Sequence, residues 1–125
     1  MFNGIIFNTG VITKILKRPK GINIFVKSNL KLTTKDIGVS VSCDGVCLTL
    51  ITIKKKIMEF YLSSETILRS KFKNLKNNDL INLELPLRYG RKISGHICQG
   101  HVDTVAKILK IKKIDKSYRF DFVIN

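Results

Sequence analysis

The segment that begins at Gly100 repeats the segment that begins at Gly4. At one constant offset Gly10 falls on Ala106, Ile12 on Ile108, Ile15 on Ile111, Ile24 on Phe120 and Val26 on Phe122, without a gap. A repeat of this kind confines the fold, because whatever residues 4–26 build, residues 100–122 build again. One unit is complete by about residue 96, and the remainder offers only two strands' worth of a second. Two strands cannot bury their apolar faces alone, so this second portion must pack on something else. The expected division is 1–96 for a complete unit and 97–125 for the opening strands of another. A length of 125 residues leaves room for one compact core and not for two.

From Gly4 onward, short apolar runs are split by turn residues, the spacing of a small all-β barrel or sandwich. Residues 5–16 read as one long or bulged strand, with Gly10 as the expected bulge. Arg18-Pro19-Lys20-Gly21 is a turn, after which Ile22, Ile24 and Val26 line the apolar face of a second strand. Val39 and Val41 start a third, which meets Asp44-Gly45, a dipeptide suited to the positive φ angles of a tight hairpin. The fourth strand, residues 46–53, is almost wholly apolar, and such a strand is buried on both faces or lines a pocket. Lys54-Lys55-Lys56 turns into a fifth strand over residues 57–62. Ser63-Ser64-Glu65-Thr66 has the hydroxyl and carboxylate that cap a short helix. Asn77-Asn78-Asp79 turns into a sixth strand, residues 80–85, closed by Pro86. Six strands with one or two short helices point to a small closed barrel.

Lys plus Arg numbers 23 against 9 Asp plus Glu, a net charge of +14 that raises polyanions as partners. The excess is mostly lysine, spread through nearly every loop, with arginine only at 18, 69, 88, 91 and 119. Groove and single-strand readers rely on arginine forks and stacking rings, so a lysine-rich solvated surface explains the charge better than a nucleic-acid site. Cys43, Cys47 and Cys98 are odd in number and lack CxxC spacing, which argues against a disulfide framework and for a reducing cytoplasm. Met1-Phe2-Asn3-Gly4 does not open a signal peptide, and no run is long enough to span a bilayer.

Both histidines, His96 and His101, lie in Ser94-Gly95-His96-Ile97-Cys98-Gln99-Gly100-His101-Val102-Asp103. A metal site from His96, Cys98, His101 and another cysteine matches no standard zinc spacing, so no metal is expected. Two structural histidines bonded to neighbouring strands would account for the pattern equally well.

The order of several motifs adds more. Met1-Phe2-Asn3-Gly4-Ile5-Ile6, Asp44-Gly45-Val46-Cys47-Leu48-Thr49, Ser63-Ser64-Glu65-Thr66 with Arg69, Asn78-Asp79-Leu80-Ile81-Asn82-Leu83-Glu84 and Gly95-His96-Ile97-Cys98-Gln99-Gly100-His101-Val102-Asp103 follow one another across the first hundred residues. In this the chain resembles the riboflavin synthase alpha-chain family of lumazine-binding repeat proteins. It departs from the family pattern at Asn78 and Ser94, where glycine is usual, and the second set of motifs is absent.

The resemblance implies a Greek-key barrel of six antiparallel strands, two in tandem per subunit of a trimer. It also implies a reaction without a cofactor, in which two 6,7-dimethyl-8-ribityllumazine molecules yield riboflavin and 5-amino-6-ribitylaminouracil. Carried over, the pocket comprises Gly4, Ile5 and Ile6, then Cys47, Leu48 and Thr49. It continues with Tyr61, Leu62, Ser63, Ser64, Glu65 and Thr66, and ends with Gly100, His101 and Val102. Gly4, Leu48, Leu62 and Val102 suit an apolar slot for a flat ring, while Thr49, Ser63, Ser64, Glu65 and Thr66 suit ribityl hydroxyls. An imidazole titrating near neutrality is the expected proton shuttle, His101 first and His96 second, with Cys47 as a hydrogen-bonding or nucleophilic group. A shortened chain would pair with another copy to bring two barrels together. The alternatives are a non-catalytic lumazine or flavin binder and, favoured only by charge, a basic nucleic-acid-binding barrel.

Overall fold

The wall of the fold is set by strands whose side chains alternate between core and solvent. In the computed structural model, which describes residues 1–6, 8–88, 90 and 100–124, β1 (Asn8–Arg18) and β2 (Gly21–Ser28) form a hairpin around Pro19-Lys20. Ile12, Ile24 and Val26 point inward and are fully buried. The register slips between Ile12 and Lys14, so Thr13 is the extra residue, and its hydroxyl donates to the Phe25 carbonyl at 3.1 Å. The bulge therefore sits at Thr13 and not at Gly10, which stays in register opposite Ser28. Gly10 serves a different end: a Cβ there would run into Val26 Cγ1 and Leu83 Cδ1.

β3 (Ser40–Cys43), β4 (Val46–Lys54), β5 (Ile57–Ser63) and β6 (Leu80–Glu84) complete a closed antiparallel barrel in the order β1-β2-β5-β4-β3-β6. Because the chain crosses from β2 to β3, returns through β4 to β5 beside β2, and then crosses to β6 between β3 and β1, the connectivity is a Greek key. Both residues of two hairpin turns are left-handed, Asp44 and Gly45 at φ 49° and 84°, Lys55 and Lys56 at φ 48° and 64°. That twist matches the flanking strands.

Inside lie Val41, Leu50, Met58, Phe60, Leu62, Ile81 and Leu83 together with the β1–β2 residues, and Phe72 packs onto this cluster from a 3₁₀ turn, Lys71–Asn74. Full burial of each such side chain stabilises the fold by roughly 1.5–3 kcal/mol. The nearly unbroken apolar run in β4 is buried on one face only: Leu48 and Leu50 point inward, while Cys47, Thr49 and Ile51 point out and are exposed. One short helix, α1 (Ser64–Leu68), follows β5, and its N-cap is Ser63, whose Oγ accepts from the Thr66 N–H. A second 3₁₀ turn, Thr34–Asp36, carries a capping box between Thr33 and Asp36.

A separate two-stranded sheet joins β7 (Ala106–Ile114) to β8 (Ser117–Ile124). Its pairs Ala106↔Ile124, Ile108↔Phe122 and Ile111↔Phe120, and its register slip between Ile108 and Lys110, reproduce β1–β2 position for position at the offset seen in the sequence. Its apolar side chains are exposed.

Candidate functional site

β4 and β5 do not pair along their whole length. Their ladder runs from Lys54↔Ile57 to Leu50↔Phe60 and ends there. Beyond that point, among the described residues, 47–49 pair only with β3 and 61–63 only with β2. The barrel wall thus opens into a seam between residues 47–49 and 61–63. Its two lips carry backbone N–H and C=O groups not committed to each other, and such groups seek partners. A flat heteroaromatic ring with donors and acceptors on its edge is matched to a seam of this kind.

The side chains of the lips divide by the two-residue period of a strand. Cys47 and Thr49 lie on the outer face and are exposed. Leu48 and Leu62 do not furnish an apolar slot with their side chains, as the sequence had suggested, because both turn into the barrel core. Only their main chain borders the seam. Tyr61 is exposed, and its hydroxyl donates to the Lys20 carbonyl at 2.7 Å, which also accepts from the Ser64 N–H at 3.1 Å. The β1–β2 turn is thereby fastened to the start of α1.

Within α1 the polar residues are partly engaged with one another. Ser63 Oγ lies 2.9 Å from Thr66 Oγ1 besides capping the helix. Glu65 pairs with Arg69 at 2.9 Å, one turn along, with both side chains largely in water. An exposed pair of this kind adds little to stability, so the Glu65 carboxylate can exchange that partner for a ligand hydroxyl at small cost.

A third wall comes from the N-terminal arm and residues 100–102. The Gly100 N–H donates to the Phe2 carbonyl at 2.7 Å, and the Val102 N–H donates to the Gly45 carbonyl at 2.9 Å. The rings of Phe2 and His101 meet edge to face with centroids 5.6 Å apart. Phe2 is buried, whereas His101 is exposed. A Cβ on Gly100 would press against Gly4 N at 2.7 Å, so only glycine lets the two segments lie this close. Gly4 itself is left-handed at φ 78°. His101 and Val102 are thus brought beside the N-terminal arm and the β3–β4 turn at the head of β4. His96 and Cys98 lie outside the described residues.

The register of the barrel adds residues that lie outside the pocket expected from the sequence. Glu84 of β6 pairs with Ser42 of β3, which pairs with Cys47 of β4, and the neighbouring rung joins Ser40 to Thr49. Directly paired residues share a face, so Glu84, Ser42, Ser40, Cys47 and Thr49 all stand on the outer surface of the wall. Glu84 and Ser42 are nevertheless buried, at 6% and 1% exposure. The N-terminal arm is bonded to Glu84, with the Asn3 and Gly4 N–H groups donating to its Oε1 and Oε2 at 2.8 and 3.1 Å. The signal for the serines was available, since a two-residue turn at Asp44-Gly45 fixes Ser42 opposite Cys47 and Ser40 opposite Thr49.

The two described cysteines differ in chemistry. Burial, reinforced by the Asp44 charge, pushes the Cys43 thiol far above its ordinary range, which leaves it inert, whereas Cys47 is exposed; both are free thiols. Among the described residues no cluster of His, Cys, Asp or Glu is arranged to hold a metal ion, and no helix is long and apolar enough to cross a membrane.

Residues 3–86 match the model of the lumazine binding domain. The chain is 35% identical over 114 residues to a riboflavin synthase of Chlamydia pneumoniae, covering 90% of this chain and 57% of the relative. It is 34% identical over 119 residues to one of Buchnera aphidicola from Schizaphis graminum, covering 94% and 57%. The chain therefore spans little more than half the length of these relatives. Among solved structures, LumP complexed with 6,7-dimethyl-8-(1'-D-ribityl) lumazine superposes with a TM-score of 0.78 at 21% identity, covering 100% of this chain and 69% of that one. LumP complexed with riboflavin gives 0.77 at 21% identity, with 100% and 68% covered. These two likenesses concern the fold. With the family model covering most of its first ninety residues and the barrel closed in the order described, this chain belongs to the lumazine binding domain family.

Proposed function

We propose that this chain is a riboflavin synthase, or the N-terminal part of one, whose barrel holds 6,7-dimethyl-8-ribityllumazine in the β4–β5 seam. The observation that carries this reading is the end of the ladder at Leu50↔Phe60, between the two strand ends that the family motifs single out. The ring edge bonds main chain of residues 47–49 and 61–63, Thr49 and the start of α1 meet the ribityl hydroxyls, and His101 closes the open side. Two barrels, facing each other in a homo-oligomer, bring two such rings together. One ring donates a four-carbon unit to the other, giving riboflavin and 5-amino-6-ribitylaminouracil with no cofactor. In the family this assembly is a trimer. Most of the acceleration comes from holding the two rings in register, with His101 as the first choice and His96 as the second for carrying the proton, and Cys47 as a polar or nucleophilic group. Residues 97–125 supply the opening strands of a second lumazine-binding repeat, consistent with the shared register of the two hairpins. The exposed Cys47 thiol suits a reducing cytoplasm.

Mixing the purified chain with the lumazine and following flavin absorbance tests the reaction directly. Thr49→Val removes a hydroxyl from the outer face of β4 with little change in shape, so lumazine affinity falls about three- to tenfold while the melting temperature stays within a few degrees. Fluorescence titration reads this, and unchanged affinity would move the ligand away from the seam. A second reading, a binder without turnover, is favoured by the likeness to LumP complexed with the lumazine and with riboflavin. Tight fluorescence changes with no flavin produced at any protein concentration would select it.

A further inference from the structure

We infer that Glu84 is a positioning residue of this site, acting through the N-terminal arm. Its carboxylate is buried and spends both oxygens on backbone, Oε1 on the Asn3 N–H at 2.8 Å and Oε2 on the Gly4 N–H at 3.1 Å. A carboxylate that accepts two N–H groups fixes both the place and the tilt of a peptide, and charge-assisted bonds of this sort are about twice as strong as neutral ones. The peptide fixed here is the one whose next residue back, Phe2, accepts from the Gly100 N–H and meets the His101 ring at 5.6 Å.

Glu84 also stands at one end of the rung that runs through Ser42 to Cys47. At about 4.8 Å per strand the clamp lies roughly 10 Å from Cys47, within the width of a bicyclic ring and its methyl groups. The arm held by Glu84 and the thiol at the other end therefore bound the same stretch of outer surface. The inference rests on the lumazine reading for its ligand, but the arm's attachment can be read without any ligand.

Glu84→Gln preserves volume and one acceptor oxygen while replacing the other with a donor that repels the facing N–H. Four chains are compared: the wild type, Glu84→Gln, Phe2→Ala and the double variant. Lumazine dissociation constants come from fluorescence, and the His101 ring-proton resonances come from ligand-free NMR spectra, where the Phe2 ring current marks its position. Glu84→Gln is expected to weaken lumazine binding about tenfold, to shift the His101 resonances toward those of Phe2→Ala, and to add less than twofold in the Phe2→Ala background. Equal weakening in both backgrounds, or His101 resonances unmoved by Glu84→Gln, overturns the inference. Should Glu84→Gln not fold, Gly4→Ala unseats the same arm through its φ of 78° with Glu84 intact and must give the same shift of the His101 resonances. If the wild type does not bind the lumazine, the ligand reading fails while the NMR comparison still decides the role of Glu84.

Discussion

β1 with β2 and β7 with β8 meet position for position, down to the slipped residue after Ile12 and after Ile108. Yet Ile24 is 0% exposed and its counterpart Phe120 is 46% exposed. Local sequence accounts for what the two hairpins share: alternation, a turn and a bulge. What separates them is the company each strand keeps. In the barrel β2 continues into β5 and β1 into β6, so the inward face is sealed, whereas among the described residues β7 and β8 pair only with each other. A hairpin's geometry is local information, and its burial is not.

The largest expected contrast comes from truncating equivalent side chains. Ile24→Ala should cost about 2–5 kcal/mol of barrel stability in urea unfolding, and Phe120→Ala less than about 0.5 kcal/mol. Comparable losses would mean that the second hairpin already rests on the barrel in solution. Next comes the pair of small residues at the head of each hairpin. Gly10→Ala should destabilise the barrel by about 1–3 kcal/mol because Val26 and Leu83 occupy the space a methyl group would take. Ala106→Gly, at the equivalent and exposed position, should leave barrel stability within about 0.5 kcal/mol. The smallest effect on the barrel is expected from copying one turn onto the other. Asp115 is left-handed at φ 52°, a conformation closed to proline, so Asp115→Pro should collapse the β7–β8 cross-strand contacts seen by NMR while the barrel's melting temperature moves by less than a degree or two. A barrel that melts earlier would show the hairpin to be one of its supports.

Much of the barrel could be read in advance because its signals are short-range. The Asp44-Gly45 turn, the cap at Ser63 and the left-handed Asn78 each follow from two or three neighbouring residues. The misplaced bulge shows where such reading stops. Gly10 looked like the irregular residue, but its smoothness was demanded by Leu83, which is distant in sequence and adjacent across β1–β6. The same limit applied to the site. Cys47, Thr49 and His101 stood out by residue type, whereas Leu48 and Leu62 were read as slot walls because apolar character alone does not say which face a strand presents. Glu84 lay inside a family motif but outside the expected pocket, because its bonds to the Asn3 and Gly4 N–H groups join residues 81 and 80 positions apart in sequence.

The open stretch between β4 and β5 has an evolutionary corollary. A recess carved into a packed interior ties ligand choice to folding, since every change of its lining leaves a void or a clash. In the function proposed above the berth is a gap in the staves, so its dimensions can be retuned at two strand ends while the hydrophobic plug behind them stays as it is. Descendants of one such scaffold are free to trade one ring system for another, or catalysis for simple storage, without first having to relearn how to fold.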